Sequence, residues 1–423
     1  MIGDRVDESD WDAHPRSLPR QSMALWQGAI TESRPMRLSR PALLTAAFYT
    51  TMFAALGAYL PFWPVWLEDW GLSTAEVGLF LSLSMLTRTA AGFALPMIAD
   101  RLDRRRATMA ALCICAAMLF VAHLWADTRT ALLILTLASG AIFSGLMPLG
   151  EALGAGASRR FGFAYARVRS AGSISFLAAS MALGVLIAAF GANAALWTIV
   201  IFLIASAALG LVHPGGGTLK GQSPPALSDI FRLMTDRTFL LFTAAAALAQ
   251  SSHAVYYAYG SVHWRALGMS EPRIGALWSF SVVVEIVLML GPGAWLMARL
   301  GPVGALAGGA VAGIVRWSLM VFDPTGAMVW VLQSLHAFSF ALGHLGAMAF
   351  IAAAVPERFG GTAQGAYTGL AGGLLTAAAM GASAALYPIF GGGTYLLAAA
   401  MSATGLLLFI GLARRWQGQE LSF

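Results

Sequence analysis

Twelve apolar runs, each close to the roughly 20 residues that cross a bilayer as a helix, follow one another along the chain. Backbone N–H and C=O groups find no water in the hydrocarbon core, so runs of this length must satisfy those groups within helices. The sequence therefore predicts an all-α membrane protein with twelve transmembrane helices. The runs lie at about 42–67, 75–99, 107–126, 130–157, 164–190, 193–212, 238–262, 273–297, 303–321, 326–354, 364–388 and 393–413.

The composition supports the same class. Only 11% of the 423 residues are charged, against about 25% in soluble domains, and the 46 glycines allow close packing of membrane helices. The formal net charge of +6 does not indicate a nucleic-acid partner, because the Lys and Arg residues cluster in short loops. Cys113 and Cys115 lie two apart on one helix and point to different faces, so we expect neither a disulfide nor a metal site.

A polar stretch with three consecutive glycines and a Pro pair separates the first six runs from the last six. We predict a first half at 42–212, a cytoplasmic linker at 213–237 and a second half at 238–413. The polar residues 1–41 are predicted to form a disordered cytoplasmic tail, and 414–423 a second cytoplasmic tail.

The distribution of positive residues predicts the orientation. With the N-terminus in the cytoplasm, the loops and tails on that side, counted together with Arg167 and Arg169 at the start of the fifth run, hold 21 of the 26 Lys and Arg residues. The opposite loops hold three, Arg129, Arg265 and Arg273. Since Lys and Arg favour the cytoplasmic side of a membrane protein, both termini are predicted to be cytoplasmic.

Two six-helix halves joined by such a linker are typical of the major facilitator superfamily, in which the halves rock about a site at the membrane midplane. The loop after the second run resembles the superfamily signature G-x-x-x-D-R-x-G-R-R at Asp100, Arg101, Arg104 and Arg105, although both glycines are replaced. We expect this loop to help hold the halves together through charged contacts. A basic loop can also be no more than a topology signal.

Two opposite charges lie deep inside neighbouring runs. Glu151 precedes the basic turn at Arg159 and Arg160 by about nine residues, which on a helix is roughly 13 Å. Arg169 follows that turn by a similar distance. Charges at such a depth are costly in lipid, face the protein interior and mark a pathway or a site.

Other polar groups inside the runs point to the same interior. Arg88, Glu285 and Arg316 lie within the second, eighth and ninth runs, and Glu285 and Arg316 are expected to form an ion pair. Taken singly, each polar group can be a packing residue or a structural partner; together they require a shared polar cavity, which between two halves is a substrate path. The seventh and tenth runs add His253, Tyr256, Tyr257, Gln333, His336, Ser339 and His344.

Several segments in both halves carry a closer likeness, at 60–67, Arg88, 165–176, 252–260, 277–287, 315–320 and 335–348. In these segments the chain resembles the bacterial 3-phenylpropionate permease family, a relative of the lactose permease group. The resemblance implies a proton-coupled importer of the bacterial inner membrane. By the same resemblance, Glu151 and Arg169 correspond to the acid and arginine of a substrate site.

The second half resembles the lactose permease group only in part. Glu285, Arg316 and His336 correspond to its network of acid, arginine and histidine. Gln333 and Ser339 stand where that group has a lysine and its proton-carrying carboxylate. The proton site therefore cannot be transferred, and we hypothesise that it is Glu285 or His336, the residue suited to titrate near neutral pH.

The predicted function is proton-coupled uptake of a small organic solute, above all an aromatic carboxylate such as 3-phenylpropionate, by alternating access. We expect no cofactor besides the proton gradient, a small-molecule substrate and membrane lipid as partners, and a monomer. The predicted substrate-binding residues are Glu151, Arg169, Arg88, Phe176, His253, Tyr256 and Tyr257. The predicted proton-coupling residues are Glu285, Arg316, His336 and His344.

Three other functions stay open: export of drugs or metabolites, symport of a sugar or nucleoside, and a sensor that binds without transporting. An enzyme is not indicated. The chain has no H-E-x-x-H motif, no G-x-S-x-G motif and no Gly-rich phosphate loop of the P-loop type.

Overall fold

The helices of the computed structural model follow the apolar runs closely. The model describes residues 39–102, 104–216, 227–356 and 359–422. Its first six helices are α1 Arg40–Asp69, α2 Thr74–Arg101, α3 Arg105–Ala122, α4 Arg129–Phe161, α5 Tyr165–Phe190 and α6 Asn193–Leu211. The others are α7 Leu227–Thr235, α8 Arg237–Ser251, α9 Ala254–Ala266, α10 Glu271–Leu290, α11 Gly293–Met320, α12 Ala327–Ser334, α13 Gly343–Ala354, α14 Gly360–Gly369, α15 Leu375–Phe390 and α16 Tyr395–Arg415.

Local sequence determines several helix ends. Ser39 accepts a hydrogen bond from the Ala42 N–H group and starts α1, while Thr128 does the same for α4. Asp236 accepts hydrogen bonds from two N–H groups at the start of α8. Gly162, with φ of 69°, ends α4 in the left-handed conformation that glycine adopts easily.

Ten helices of the described residues are long and apolar enough to cross a membrane. The chain is thus an all-helical, multi-pass membrane protein. α2 is not among the ten, and one of the ten spans, Thr362–Arg415, covers α14, α15 and α16 together. Twelve crossings therefore remain a prediction, as do the boundaries of the two halves; residues 1–38 and 217–226 lie outside the described residues.

Three predicted runs are interrupted helices. The run at 238–262 breaks between α8 and α9, at Ser252 and His253. The run at 326–354 consists of α12, a π-helical turn at Ala337–Leu342, and α13. Another π-helical turn, Leu370–Leu374, joins α14 to α15. Such wide turns are rare and occur frequently at functional sites.

Small residues let helices from the two ends of the chain approach closely. α5 packs against α10, α2 against α15, and α1 against α9. A Cβ atom on Gly275 of α10 would lie 2.4 Å from the Ser180 carbonyl oxygen of α5. Within the first half, a Cβ atom on Gly57 of α1 would likewise lie 2.6 Å from the carbonyl oxygen of Phe176 of α5.

Candidate functional site

Glu151 of α4 and Arg169 of α5, which the sequence places at similar depth on neighbouring helices, form an ion pair. The Arg169 Nε atom lies 2.6 Å from Glu151 Oε1. The side chains remain 26% and 33% exposed, respectively, although α4 and α5 are both membrane helices. The pair is therefore not sealed in a packed core.

Aromatic side chains surround this pair. The Tyr49 hydroxyl group donates to Glu151 Oε2 at 3.1 Å, and the Tyr165 hydroxyl group also contacts that oxygen. The Arg169 guanidinium carbon lies 3.9 Å from the centre of the Phe53 ring, a distance typical of cation–π interactions. Sequence reasoning missed Tyr49 and Tyr165. Tyr165 is the first residue of the segment 165–176 that carries the family resemblance, so that segment could have identified it as a site residue.

Arg88 of α2 occupies a different position, beside a cavity of about 30 Å³. The cavity is lined by Tyr59 and Trp63 of α1, Tyr257 of α9 and Met380 of α15, among others. The guanidinium carbon is 5.4 Å from the Tyr59 ring centre. The Arg88 Nε atom is buried without a hydrogen-bond partner, and among the described residues no carboxylate pairs with Arg88.

Arg316 of α11 is fully buried and holds two neutral acceptors. One terminal nitrogen lies 2.9 Å from His336 Nδ1, and the other donates to Gln333 Oε1 at 2.6 Å. The Gln333 amide nitrogen donates in turn to the Tyr256 hydroxyl oxygen at 3.0 Å. The guanidinium carbon also lies 4.3 Å from the Trp317 ring centre.

The predicted ion pair between Glu285 and Arg316 is wrong, because His336 lies between them. His336 Nε2 is 3.8 Å from Glu285 Oε2. A guanidinium group can only donate, so His336 Nδ1 must accept and the imidazole hydrogen must reside on Nε2, facing the carboxylate. Arg316 therefore acts on Glu285 through an imidazole ring.

His253 and Tyr257 lie next to this network. His253 Nδ1 lies 3.0 Å from the Gln250 carbonyl oxygen and therefore donates to it, which leaves Nε2 to accept from the Ser339 hydroxyl group at 3.2 Å. Tyr257 stacks on the His253 ring at 6.0 Å and also borders the Arg88 cavity. The break between α8 and α9 therefore faces the π-helical turn that holds Ser339.

Two predicted site residues lie elsewhere. His344 of α13 has its ring 6.4 Å from that of Tyr367, on the side of the bundle where α13 meets α14. Phe176 is buried where α5 crosses α1. Among the described residues, no ring contact joins Phe176 to Tyr256 or Tyr257.

The loop after α2 is only partly described. The side chains of Asp100 and Arg101 lie outside the described residues. Arg104 is exposed at the start of α3, and Arg105 is half-buried. Neighbouring Arg106 donates to the His213 carbonyl oxygen at 3.3 Å, so this loop contacts the start of the predicted linker.

The membrane helices and the charged interior define a membrane transporter of the major facilitator class. The model of the MFS_1 like family matches residues 43–397, and the chain therefore belongs to this family. It is 31% identical over 357 residues to the probable 3-phenylpropionic acid transporter of Escherichia coli (strain K12), covering 82% of this chain and 89% of that protein. It is 28% identical over 335 residues to the maltose permease of Geobacillus stearothermophilus, covering 77% of this chain and 83% of that protein.

Solved structures with the same fold are also transporters. The superposition on the crystal structure of the nucleoside transporter NupG covers 90% of this chain and 100% of that chain, with a TM-score of 0.75 and 15% identity. A second superposition is on a bacterial homologue of the human lysosomal transporter Spinster, in an inward-facing and unoccupied conformation. It covers 92% of this chain and 100% of that chain, with a TM-score of 0.66 and 15% identity. At these identities the likeness shows the fold alone.

Proposed function

We propose that the protein imports a small aromatic carboxylate, such as 3-phenylpropionate, together with protons by alternating access. The observation that carries this proposal is the Arg88 guanidinium, which has no carboxylate partner among the described residues. It borders a cavity with aromatic walls between α1, α2, α9 and α15. A carboxylate would satisfy the orphaned donor, and an aromatic ring would pack on Tyr59 or Tyr257.

The other two interior arginines are already engaged. Arg169 pairs with Glu151, and Arg316 holds His336 and Gln333. The name of the E. coli relative, a probable 3-phenylpropionic acid transporter, supports the same substrate class. A cavity of about 30 Å³ has room for only about two water molecules, so the surrounding helices must move apart to admit the substrate.

We assign the proton-coupling role to Glu285 and its contact with His336. A proton on Glu285 would remove the charge that faces His336 Nε2 at 3.8 Å. The electrostatic balance of the Arg316 network would then differ between the loaded and unloaded states. With one proton for each carboxylate, a gradient of one pH unit supports about tenfold accumulation.

The remaining assignments are part of the same proposal. The protein would be a monomer in the bacterial inner membrane, with both termini cytoplasmic. It would need no resident cofactor. The basic loop at Arg104 and Arg105 would help hold the two halves together on the cytoplasmic side.

The test is uptake of labelled 3-phenylpropionate into proteoliposomes that contain a trapped pH dye. We expect uptake with internal acidification when the outside is acidic, and at least a tenfold loss in Arg88→Gln. Arg299→Gln is the matched control, because Arg299 also stacks on an aromatic ring, that of exposed Trp295, but lies outside the site. Uptake that is unaffected by Arg88→Gln would exclude this carboxylate site.

A sugar is the second candidate substrate, because a maltose permease is 28% identical over 335 residues. Maltose and a nucleoside are therefore included in the same assay. Proton movement with maltose and none with 3-phenylpropionate would replace the proposed substrate. Accumulation of substrate in inside-out vesicles, driven by protons that leave their lumen, would indicate an exporter.

A further inference from the structure

A groove of about 720 Å³ runs along the outside of the first half, and we call it the α5–α6 groove. Both α5 and α6 pack closely on α1 but touch each other little, so a gap with α1 as its floor remains between them. The groove is lined by Thr50 and Ala54 of α1, by α5 between Ala171 and Leu186, and by α6 between Thr198 and Phe202.

The α5–α6 groove opens on the surface of the bundle that faces lipid. Ile174 and Ile201, on its two walls, are 64% and 61% exposed. The described lining residues of this groove and of the Arg88 cavity do not overlap. The groove is therefore separate from the proposed substrate path.

The lining of the groove offers few hydrogen-bonding groups to an occupant. Thr50 donates its hydroxyl hydrogen to the Ala46 carbonyl oxygen at 3.0 Å, and Ser175 donates to the Thr50 carbonyl oxygen at 2.5 Å. Apart from these two residues and Thr198, the described lining consists of Ala, Leu, Ile and Phe. An occupant of the groove must therefore be apolar along its length.

The dimensions of the groove fit a hydrocarbon chain. Its wall on α5 extends from Ala171 to Leu186, which is about 22 Å along a helix axis. The hydrocarbon core of a bilayer is about 30 Å thick, so this length covers one leaflet and more. Since a methylene group is close in size to a water molecule, at about 30 Å³, the groove has room for about 24 of them. One phospholipid acyl chain fits within that volume.

Two exposed arginines lie at one end of the groove, on the helix faces that line it. Arg167 precedes Ala171 and Ile174 of α5 by four and seven residues, and Arg40 precedes Ala54 of α1 by fourteen. Residues at such spacings share one face of a helix. Long arginine side chains can lie along apolar surface and place the guanidinium group at the membrane surface.

The two arginines also lie at similar depth. Ser175 and Ser180 of α5 donate to backbone oxygens of α1 that are 125 and 123 positions earlier, so the two helices run parallel at this offset. The offset places Arg167 two to four positions after the level of Arg40, which is about 3–6 Å along the axis. One phosphate group can therefore contact both guanidinium groups.

The backbone adds positive charge at the same end. α1 and α5 both begin there, and a helix N-terminus carries a partial charge of roughly +0.5. Neither helix has an acid in its first turn. This end is predicted to be cytoplasmic. An anionic group is thus favoured at the membrane surface, next to a groove that requires an apolar occupant.

We propose that the α5–α6 groove binds an anionic phospholipid of the cytoplasmic leaflet, with an acyl chain in the groove and the phosphate group between Arg40 and Arg167. A guanidinium fork binds phosphate through paired hydrogen bonds. Basic sites between membrane helices on the cytoplasmic side are suited to anionic headgroups. The lipid would brace the crossing of α1 and α5, the helices that carry Tyr49 and Arg169.

The test is native mass spectrometry of the full chain, delipidated in detergent and titrated with phosphatidylglycerol or with phosphatidylcholine that has identical acyl chains. We expect at least tenfold tighter binding of phosphatidylglycerol. Arg40→Gln and Arg167→Gln should each weaken that binding about fivefold, the contribution of one arginine near a membrane surface. Arg40→Lys and Arg167→Lys keep the charge and should lose less. Arg414→Gln, at an exposed arginine of α16, is the matched control and should bind as the native chain does.

A second variant tests the position of the acyl chain. Ala178 lines the groove and is exposed, so Ala178→Trp fills the groove without disturbing the packed core. We expect it to weaken phosphatidylglycerol binding at least fivefold. Ala400→Trp, at an exposed position of α16 outside the groove, is the control and should leave binding unchanged.

Equal binding of the two lipids would overturn the proposal, as would a preference for phosphatidylglycerol that survives both Arg→Gln variants. Native binding in Ala178→Trp would place the acyl chain elsewhere and would also overturn it. A dimer that Ala178→Trp abolishes would show that the groove is covered by a second copy of this chain and not by lipid. None of these outcomes depends on the transported substrate.

Discussion

The Nδ1 atom of His336 lies 2.9 Å from a terminal nitrogen of Arg316, so the arginine dictates which imidazole nitrogen carries the hydrogen. The other nitrogen, Nε2, faces Glu285 at 3.8 Å. The ring nitrogen that faces the acid thus belongs to a histidine whose tautomer is set by a buried cation. His336 is therefore the group in contact with both Glu285 and Arg316.

Replacement of Glu285 by Gln should remove the group that gains and loses the coupling proton. We expect Glu285→Gln to abolish uphill accumulation of 3-phenylpropionate while exchange of labelled for unlabelled substrate continues. Both are measured in proteoliposomes, with Glu76→Gln as a carboxylate control outside the network. Normal accumulation in Glu285→Gln would show that the proton binds elsewhere.

Replacement of Arg316 by Lys should disconnect the network while it keeps the charge. An ammonium group cannot reach His336 and Gln333 with the planar fork of a guanidinium. We expect at least a tenfold loss of exchange and a lower melting temperature, since each charged hydrogen bond contributes about 1.5–3 kcal/mol. Arg299→Lys, at an exposed arginine, should change neither; native exchange in Arg316→Lys would contradict the assigned role.

Glu151 and Arg169 should be energetically coupled. A double-mutant cycle of Glu151→Gln and Arg169→Gln, read from substrate affinity, should give an interaction energy within the range of about 0.5–3 kcal/mol seen for contacting residues. The cycle of Glu151→Gln with Arg299→Gln is the control and should be additive. Additivity in both cycles would mean that the ion pair plays no part in binding.

Gly275 should control how closely α5 and α10 approach. A methyl group there would lie 2.4 Å from the backbone oxygen of Ser180, which cannot move without the helix. We expect Gly275→Ala to reduce exchange at least tenfold in a protein that still elutes as a single species. Gly156→Ala, where a Cβ atom has no neighbour within 4 Å, should behave as the native chain. Equal exchange in the two variants would contradict this interpretation.

Acid should loosen the segment after α6. Burial and the nearby Arg106 charge lower the pKa of His213 from its ordinary 6.5 to about 4. The unfolded chain therefore takes up a proton between these values that the folded chain does not, so stability falls as the pH falls from 6.5 to 4. The melting temperature should decline less steeply over this range in His213→Gln. Identical slopes would show that His213 is not the group responsible.

The sequence predicted the membrane class and the similar depth of Glu151 and Arg169, because run length and depth along a helix are local quantities. It could not predict that His336 separates Glu285 from Arg316. That arrangement depends on how the segment that holds His336 packs against α10 and α11, which hydrophobic periodicity does not specify. The contacts of His263 with Asp323 and Tyr387 were also missed, since His263 and Tyr387 lie 124 positions apart in sequence.

The charges at the candidate site have a consequence for bioenergetics. In the described part of the chain, the candidate site contains three arginines and two glutamates: Arg88, Arg169 and Arg316, with Glu151 and Glu285. With all of them ionised, one positive charge is uncompensated. In the proposed cycle, an anion and one proton would enter together without altering that sum. The loaded and empty carriers would then cross the same voltage with the same charge, so the cycle would be electroneutral. A cell could therefore run it at any membrane potential, provided that its surroundings stay acidic.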